Sequence, residues 1–555
     1  MCFAPIRSRN RGGFFVLILE AFGIKKYFGE RCLLDINHLQ IYSGHKIGLL
    51  GPNGVGKTTL LRILTGEMKA DEGYVNMLGE YRYLPQLDLD QGQIELERAK
   101  EWSAELEIRN TLSGGEKTRY KIAHLLSGSV HLLIADEPTA NLDIEGIEQL
   151  EKELYEFYGA ILFVSHDRDL LDHVCNTIWE LDRGTITVYP GNYSLYQAQK
   201  KIGWETQERE YEEYVKEKER LRKAIALSRE KSRSVKKAPS RMGISEARLH
   251  KGTAKAKKAK LDQGVKALES RLEQLEEKEK PWDPKTAAID MQPPSPLHNP
   301  FVFQIEGLSK SFPGKQLFND VSFTVKNGSK VALIGPNGSG KTTLLNMLVN
   351  GASGVKTASG VKLGYFSQEL EILDEQKTIL ENVMETSIYP ESFARLILAR
   401  LLFRGDAIYK PVSLLSGGER VKCGFGKVFL QDVNVFILDE PTNYLDLDSM
   451  EALGQVLEEY PGTVLFVSHD RRFIDQVATD LLIIENYTIT SFKGNYTEYE
   501  GWKEGQSSTS SKLMVLENRL ADVLGRLSVP GPDDNLELLD QEFKELVREI
   551  GEMKN

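Results

Sequence analysis

The sequence predicts an α/β protein of two tandem P-loop nucleotide-binding domains, joined by a long helical-hairpin linker and followed by a C-terminal helical extension. Three observations predict it. Four short motifs recur in the same order in each half of the chain. The first motif of each set sits between strand-type and helix-type residues. The segment between the halves has helical periodicity and heavy charge.

A chain of 555 residues exceeds one hydrophobic core and divides into two or more domains. The four cysteines (Cys2, Cys32, Cys175, Cys423) are far apart and show no CxxC spacing, which leaves a reducing cytosol as the default compartment. The longest apolar runs, such as Phe14–Leu19, fall well short of the ~20 residues of a membrane helix. Arg7, Arg9 and Arg11 before that run resemble a signal n-region, but a small-residue cleavage site is missing. Residues 1–14 read as a disordered tail or an overextended start, and Phe14–Ile24 as the first strand.

The repeat defines the domains. GPNGVGKTT at Gly51 returns as GPNGSGKTT at Gly335, and LSGGE at Leu112 returns at Leu415. ADEPTANLD at Ala135 returns as LDEPTNYLD at Leu438, and VSHDR at Val164 returns at Val467. The first motif repeats at an offset of 284 and the last three at 303, so the second domain has 19 more residues between its first and second motifs. The expected domains are residues 15–197 and 301–503. Between them, 198–300 reads as a charged helical hairpin: Tyr211, Tyr214, Leu221 and Ile225 going out, then Val265, Leu268, Leu272 and Leu275 returning. A basic stretch at 236–260, with Pro239, Gly243 and Gly252, is expected to interrupt the two helices as the tip. Pro281, Pro284, Pro293, Pro294, Pro296 and Pro300 mark an extended tether. Residues 504–555 read as two further helices broken at SVPGPDDN.

GxxxxGK[ST] between a strand and a helix is a P-loop. Its glycines let backbone N–H groups converge on phosphate oxygens beside a helix N-terminus. The candidate ATP-binding residues are Gly51, Pro52, Asn53, Gly54, Val55, Gly56, Lys57, Thr58 and Thr59, and Gly335, Pro336, Asn337, Gly338, Ser339, Gly340, Lys341, Thr342 and Thr343. Lys57 and Lys341 are placed to reach the β- and γ-phosphates, and Thr58 and Thr342 to bind Mg²⁺. HLLIADE and VFILDE are apolar strands ending in two acids. Asp136 and Asp439 would hold the metal, directly or through water, and Glu137 and Glu440 would orient and polarise the attacking water.

LSGGE resembles the signature of the ABC ATPase superfamily, and the motif set covers both domains. The resemblance implies that Ser113, Gly114 and Gly115, and Ser416, Gly417 and Gly418, cap the γ-phosphate held by the opposite domain. Two composite sites follow, each with ATP and Mg²⁺, in a monomer whose two domains sandwich the nucleotides. His166 and His469 look like the switch histidines, and Gln86 and Gln368 like the glutamines that sense metal and water. Phe28 and Phe312 precede the P-loops at the same spacing and could stack on adenine, with Tyr27 competing with Phe28 and a core role open for both. Ala140 in domain 1 stands where domain 2 has Asn443, which suggests unequal turnover.

The chain carries net charge −11, yet 236–260 holds nine Lys and Arg against the single acid Glu246. A basic segment in an acidic protein marks an anionic partner. Lys236, Lys237, Arg241, Arg248, Lys251, Lys255, Lys257 and Lys258 are the candidate RNA contacts. A fused transporter ATPase does not explain such a linker, and the zinc modules or very long coiled coils of DNA-repair ATPases are missing. Tandem domains, the charged linker and the lack of a membrane segment resemble the ABC-F family. The short Leu87–Thr111 segment leaves no room for the arm of housekeeping translation factors, and SRMGISEARLHK resembles the linker of Vga/Lsa/Sal-type resistance proteins. That resemblance implies a cytoplasmic partner of the ribosome, contacting rRNA and exit-site tRNA rather than DNA or membrane. It also implies protection of the peptidyl transferase centre against lincosamides, streptogramin A and pleuromutilins. A housekeeping factor and a transporter subunit are the alternatives.

Overall fold

The computed structural model describes residues 7–10, 13–85, 130–140, 142–234, 244–278, 297–313, 315–366 and 372–503, together with 505, 520, 523, 543, 544 and 546–548. Two ATPase domains form one compact unit, and residues 190–286 form a second.

Domain 1 contains β1 (Arg7–Asn10), β2 (Gly13–Phe28), β3 (Arg31–Tyr42), β4 (Lys46–Leu50), β5 (Glu72–Met77), β6 (Tyr81–Leu84), β7 (Leu132–Asp136), β8 (Ala160–Val164), β9 (Thr177–Asp182) and β10 (Thr185–Pro190). Domain 2 contains β11 (Phe301–Phe312), β12 (Lys315–Lys326), β13 (Lys330–Ile334), β14 (Val355–Thr357), β15 (Leu363–Phe366), β16 (Val435–Asp439), β17 (Thr463–Val467), β18 (Asp480–Glu485) and β19 (Thr488–Lys493). The six-stranded sheets run β10-β9-β4-β8-β7-β6 and β15-β16-β17-β13-β18-β19, which is the same order read in opposite directions. Smaller antiparallel sheets, β1-β2-β3 with β5 on β2 and β12-β11-β14, accompany them.

The order follows from composition. LLIAD, AILFV, VFILD and TVLFV are buried along their whole length, as parallel strands covered on both faces must be. The helices after the P-loops, Lys57–Leu64 and Lys341–Val349, bury Leu60 and Leu61, and Leu344 and Leu345, in the same cores. In each domain the P-loop strand, the strand before His166 or His469 and the strand ending in the acids are adjacent and parallel. Their carboxyl ends therefore gather three loops at one edge, where ligands bind in open α/β sheets.

Three expectations need correction. Arg7–Asn10, expected as part of a tail, is a strand: it pairs antiparallel with Gly13–Val16 along one edge of its sheet. The first long strand extends to Phe28, because pairing with β3 continues to Arg31. The basic stretch does not simply separate two helices. The outgoing helix runs Tyr193–Ser234 and the returning one starts at Ile244, passes through Gly252 and ends at Glu273. Gly252 costs a helix about 1 kcal/mol, which the flanking Ala, Lys, Leu and Arg residues offset. The helices are tied by Ser232 Oγ to Asp262 (2.5 Å), by Arg229 to Glu269 (2.5 Å), and by burial of Leu221, Ile225 and Val265.

The outgoing helix begins before residue 198, with Asn192 accepting from the Leu195 N–H at 3.2 Å. The prolines of the tether from Pro281 to Pro296 lie outside the described residues. In the C-terminal extension, Leu520, Val523, Phe543 and Leu546 pack together, joining residues from both predicted helices. Among the described residues no helix is long and apolar enough to cross a membrane.

Candidate nucleotide sites

Each P-loop is shaped by its glycines. Gly51 has φ 152°, and a Cβ there would lie 2.4 Å from the Leu181 carbonyl oxygen on β9. Gly335 repeats this at φ 154°, 2.8 Å from the Ile484 oxygen. Gly54 and Gly56, like Gly338 and Gly340, are left-handed, a region that L side chains avoid. No side chain caps the helices Lys57–Leu64 and Lys341–Val349, so their first N–H groups face the loop. The Lys57 ammonium donates to Gly51 O (2.6 Å) and Pro52 O (3.4 Å), and Lys341 donates to Gly335 O (2.8 Å) and Pro336 O (3.1 Å). Burial pushes both amines down, opposed by Glu137 at Lys57 and by Glu440 at Lys341. The loops differ at one position. Val55 is apolar, whereas Ser339 has a buried hydroxyl with no partner among the described residues.

The acids sit at the ends of β7 and β16. Burial pushes the Asp136 and Asp439 carboxyls up, while hydrogen bonds to Thr58 and Thr342 hold them down. One oxygen of each, Asp136 Oδ2 and Asp439 Oδ1, is buried without a partner among the described residues. A threonine hydroxyl beside an unsatisfied carboxylate oxygen is a donor set that fits Mg²⁺. Immediately after each strand the chain kinks: Glu137 and Glu440 both have φ 51°, a strained conformation for such residues. The kink is held by Glu137 N donating to Val164 O (3.0 Å) and Glu440 N to Val467 O (3.1 Å).

His166 Nε2 lies 3.1 Å from Glu137 Oε1, and His469 Nε2 lies 3.1 Å from Glu440 Oε1. Burial pushes both imidazoles down to about 3, so at neutral pH each is uncharged and its Nε2–H can donate to the carboxylate. Burial pushes Glu137 and Glu440 up to about 7, with Lys57 and Lys341 opposing. A carboxylate titrating near neutrality suits a general base.

The two domains meet at these loops. Asn53 of P-loop 1 donates from its side chain to Tyr444 O (2.7 Å) and from its backbone to Asp446 Oδ2 (3.2 Å). A Cβ on Gly418 would lie 2.9 Å from Asn53 Nδ2, so the second signature abuts the first P-loop. Asn337 of P-loop 2 donates its N–H to Asp143 Oδ2 (3.0 Å). Ser416 caps the helix Gly417–Phe429 in a reciprocal box with Glu419.

Asp143 and Asp446 are the residues that motif reading missed. Each caps its own helix, accepting from Gly146 N (3.0 Å) and Ser449 N (2.9 Å), and offers its other oxygen to the opposite P-loop. From sequence they read as ordinary N-caps. Lys315 is a second omission. Its ammonium lies 2.9 Å from where a Cβ on Gly338 would stand, and the 284-residue offset places basic Arg31 at the matching position.

Phe28 and Phe312 are both half-exposed, with the ammonium of Lys26 (5.9 Å) and Lys310 (5.2 Å) near the ring. Tyr27 is also partly exposed, so both remain available to adenine. Ala140 and Asn443 use the same backbone bond, donating to Glu137 O (3.1 Å) and Glu440 O (3.2 Å). Gln86, Gln368, Ser113, Gly114 and Gly115 lie outside the described residues, as do Lys236, Lys237 and Arg241. Arg248 and Lys251 fall on the returning helix of the hairpin, and Lys255, Lys257 and Lys258 are exposed on it.

The family pattern described as ABC transporter matches residues 34–99, 86–140 and 318–443, and a second of the same description matches 179–247. The erythromycin resistance ATP-binding protein MsrA of Staphylococcus epidermidis is 36% identical over 80% of this chain and 93% of its own. The ribosome protection protein VmlR of Bacillus subtilis (strain 168) is 32% identical over 92% and 94%. An archaeal ribosome recycling factor, aABCE1, solved with the ribosomal stalk protein aP1, has the same fold. It superposes with TM-score 0.54 at 18% identity over 83% of this chain and 87% of that one.

Proposed function

The chain belongs to the ABC-F family of tandem ATPases, and from that premise we propose that it protects the peptidyl transferase centre of the ribosome from antibiotics. The observation that carries this is the hairpin. It presents Lys255, Lys257, Lys258 and Lys260, all exposed and with no ion pair among the described residues, on a chain of net charge −11. Four exposed cations on a stiff helix suit the backbone of folded RNA. Relatives named for erythromycin resistance and ribosome protection point the same way.

In this reading two ATP molecules bind, each between one P-loop and the opposite signature. Lys57 and Lys341 anchor the phosphates. Mg²⁺, where Thr58 with Asp136 and Thr342 with Asp439 would hold it, supplies charge neutralisation on the transferring phosphoryl group. Glu137 and Glu440 orient the attacking water and accept its proton, each steadied by its neutral histidine. Gln86 and Gln368 complete the metal and water contacts. Ser113, Gly114 and Gly115, and Ser416, Gly417 and Gly418, close over the γ-phosphate. ATP binding closes the domains, the tRNA exit site receives the protein, and the hairpin displaces drug through rRNA and tRNA. Hydrolysis then releases it.

A susceptibility panel of a lincosamide, streptogramin A, a pleuromutilin and erythromycin tests this in cells expressing the protein. Wild type should raise resistance to at least one of them. Glu137→Gln/Glu440→Gln should lose protection and stay with ribosomes on sedimentation in ATP. Reversing Lys255, Lys257, Lys258 and Lys260 to Glu should lose protection while keeping ribosome-free ATP hydrolysis. A wild type that changes no susceptibility returns the protein to the housekeeping translation factors.

A further inference from the structure

The ATPase domains touch at a position that the duplication makes equivalent in both. Asp169 and Arg472 are 303 residues apart, the same interval that separates the two VSHDR motifs, and they bond to each other: Arg472 Nε donates to Asp169 Oδ1 at 2.5 Å. Two symmetry-equivalent residues meet only where the axis relating the domains passes between them. At such a place identical side chains would face themselves. Two aspartates or two arginines would repel, and in this chain the copies carry opposite charge.

The surroundings reinforce one direction. Arg472 Nη2 also donates to Asp172 Oδ2 (3.0 Å), and Arg471 to Glu151 Oε2 (2.9 Å). Arg471 also has Asp169 within 3.5 Å. The equivalent arginine of domain 1, Arg168, donates to Leu447 O (2.9 Å) and approaches Glu451 at 3.9 Å. Where domain 1 has Glu151, the repeat places Gly454 in domain 2. Arg168 and Glu451 make one pair of the reverse sense, but the short bonds set Glu151, Asp169 and Asp172 of domain 1 against Arg471 and Arg472 of domain 2. The partly buried Asp169 and Asp172 side chains raise the strength of these bonds above that of exposed pairs.

We propose that Asp169 and Arg472 are the pairing-specificity contact of the ATPase domains. Opposite charges at the axis make closure selective for a first domain meeting a second, and disfavour first-with-first or second-with-second association between copies. The proposal rests on the reading that ATP closes the domains, and its test measures closure directly, without ribosomes or drug.

The full chain would carry a fluorophore at an exposed position of each ATPase domain, and energy transfer would be followed as ATP is added to the hydrolysis-slow Glu137→Gln/Glu440→Gln form. Asp169→Asn and Arg472→Gln should each raise the ATP concentration for half-closure by about 5- to 10-fold. The double variant should fall well short of the sum of the singles, because both changes remove the Asp169–Arg472 bond while only Arg472→Gln also loses Asp172. Asp169→Arg, which sets a third arginine beside Arg471 and Arg472, should be at least about tenfold worse than Asp169→Asn. Unchanged melting temperatures would show that each variant folds. Additive singles, silent singles, or an Asp169→Arg variant equal to Asp169→Asn would overturn the proposal. Should wild type fail to respond to ATP, the closure reading fails too. The variants' resting distance then decides alone, and an unaltered distance in Asp169→Arg counts against the contact.

Discussion

Gly418→Ala is the sharpest available perturbation of the domain junction. The added methyl would stand 2.5 Å from Tyr444 O and 2.9 Å from Asn53 Nδ2, both inside van der Waals contact. Something must move, and the nearest atom is backbone. Overpacking of this kind costs about 1–3 kcal/mol. Displacing Tyr444 O also weakens its 2.7 Å bond from Asn53, at about 1 kcal/mol. Alanine returns up to about 1 kcal/mol to the helix Gly417–Phe429, which begins here. The balance is about 1–3 kcal/mol against the closed junction, a loss of roughly 5- to 150-fold in its population. Gly426→Ala, on the same helix and outside the nucleotide site, is the internal control, because its methyl would make only ordinary contacts, with Leu398 and Leu401 at 3.5 Å. ATP turnover at saturating ATP and Mg²⁺, with melting temperature beside it, reads both variants. Gly418→Ala should lose turnover within that range, and Gly426→Ala should stay within about threefold of wild type. Equal turnover in both, at unchanged melting temperature, would refute the packing argument.

Three further outcomes follow from particular side chains. Burial, with Asp470 adding to it, raises Asp167 to about 6, so between its ordinary value and pH 6 the folded chain holds a proton that the unfolded chain has released. Stability from this group therefore falls as pH rises through that window, by up to roughly 3 kcal/mol. Asp167→Asn keeps the cap on Leu170 N and should flatten the profile from pH 4.5 to 6.5 in thermal unfolding, whereas parallel profiles would contradict it. Thr58→Ala or Thr342→Ala should raise the Mg²⁺ concentration for half-maximal ATP turnover by about tenfold or more, and an unshifted Mg²⁺ titration would remove that threonine from the metal site. Ser232→Ala removes the 2.5 Å bond to Asp262 and should cost the hairpin about 1–2 kcal/mol, visible as faster amide exchange around Leu221 and Val265; unchanged exchange there would rule the bond out as a tie.

Much of the site was legible because its chemistry lies at strand ends. Motif chemistry gave Lys57, Thr58, Asp136 and Glu137 their expected roles and the ABC resemblance gave His166 its own, and the topology brings their loops together. Asp143 and Asp446 stayed hidden because half of what each does is local. An aspartate three residues before a helical N–H reads as a cap, and the second donor that it accepts from is 194 residues away for Asp143 and 393 for Asp446. The course of the hairpin was misjudged at Gly252, where propensity summed over neighbours outweighed one unfavourable residue. Arg7–Asn10 was missed because an edge strand of four residues carries too little pattern to separate it from a tail.

The pairing of the two hairpin helices has a mechanical consequence of its own. The outgoing helix has 42 residues and is about 60 Å long, slender for an isolated rod in water. It does not stand alone: Glu217 meets Arg271, Arg229 meets Glu269 and Ser232 meets Asp262, at successive levels along its length. Two rods tied at several levels can bend only if they slide past each other, and each tie resists that slide. The hairpin is therefore a beam, and the lysines at 255–260 ride on it as a set, with their mutual spacing held.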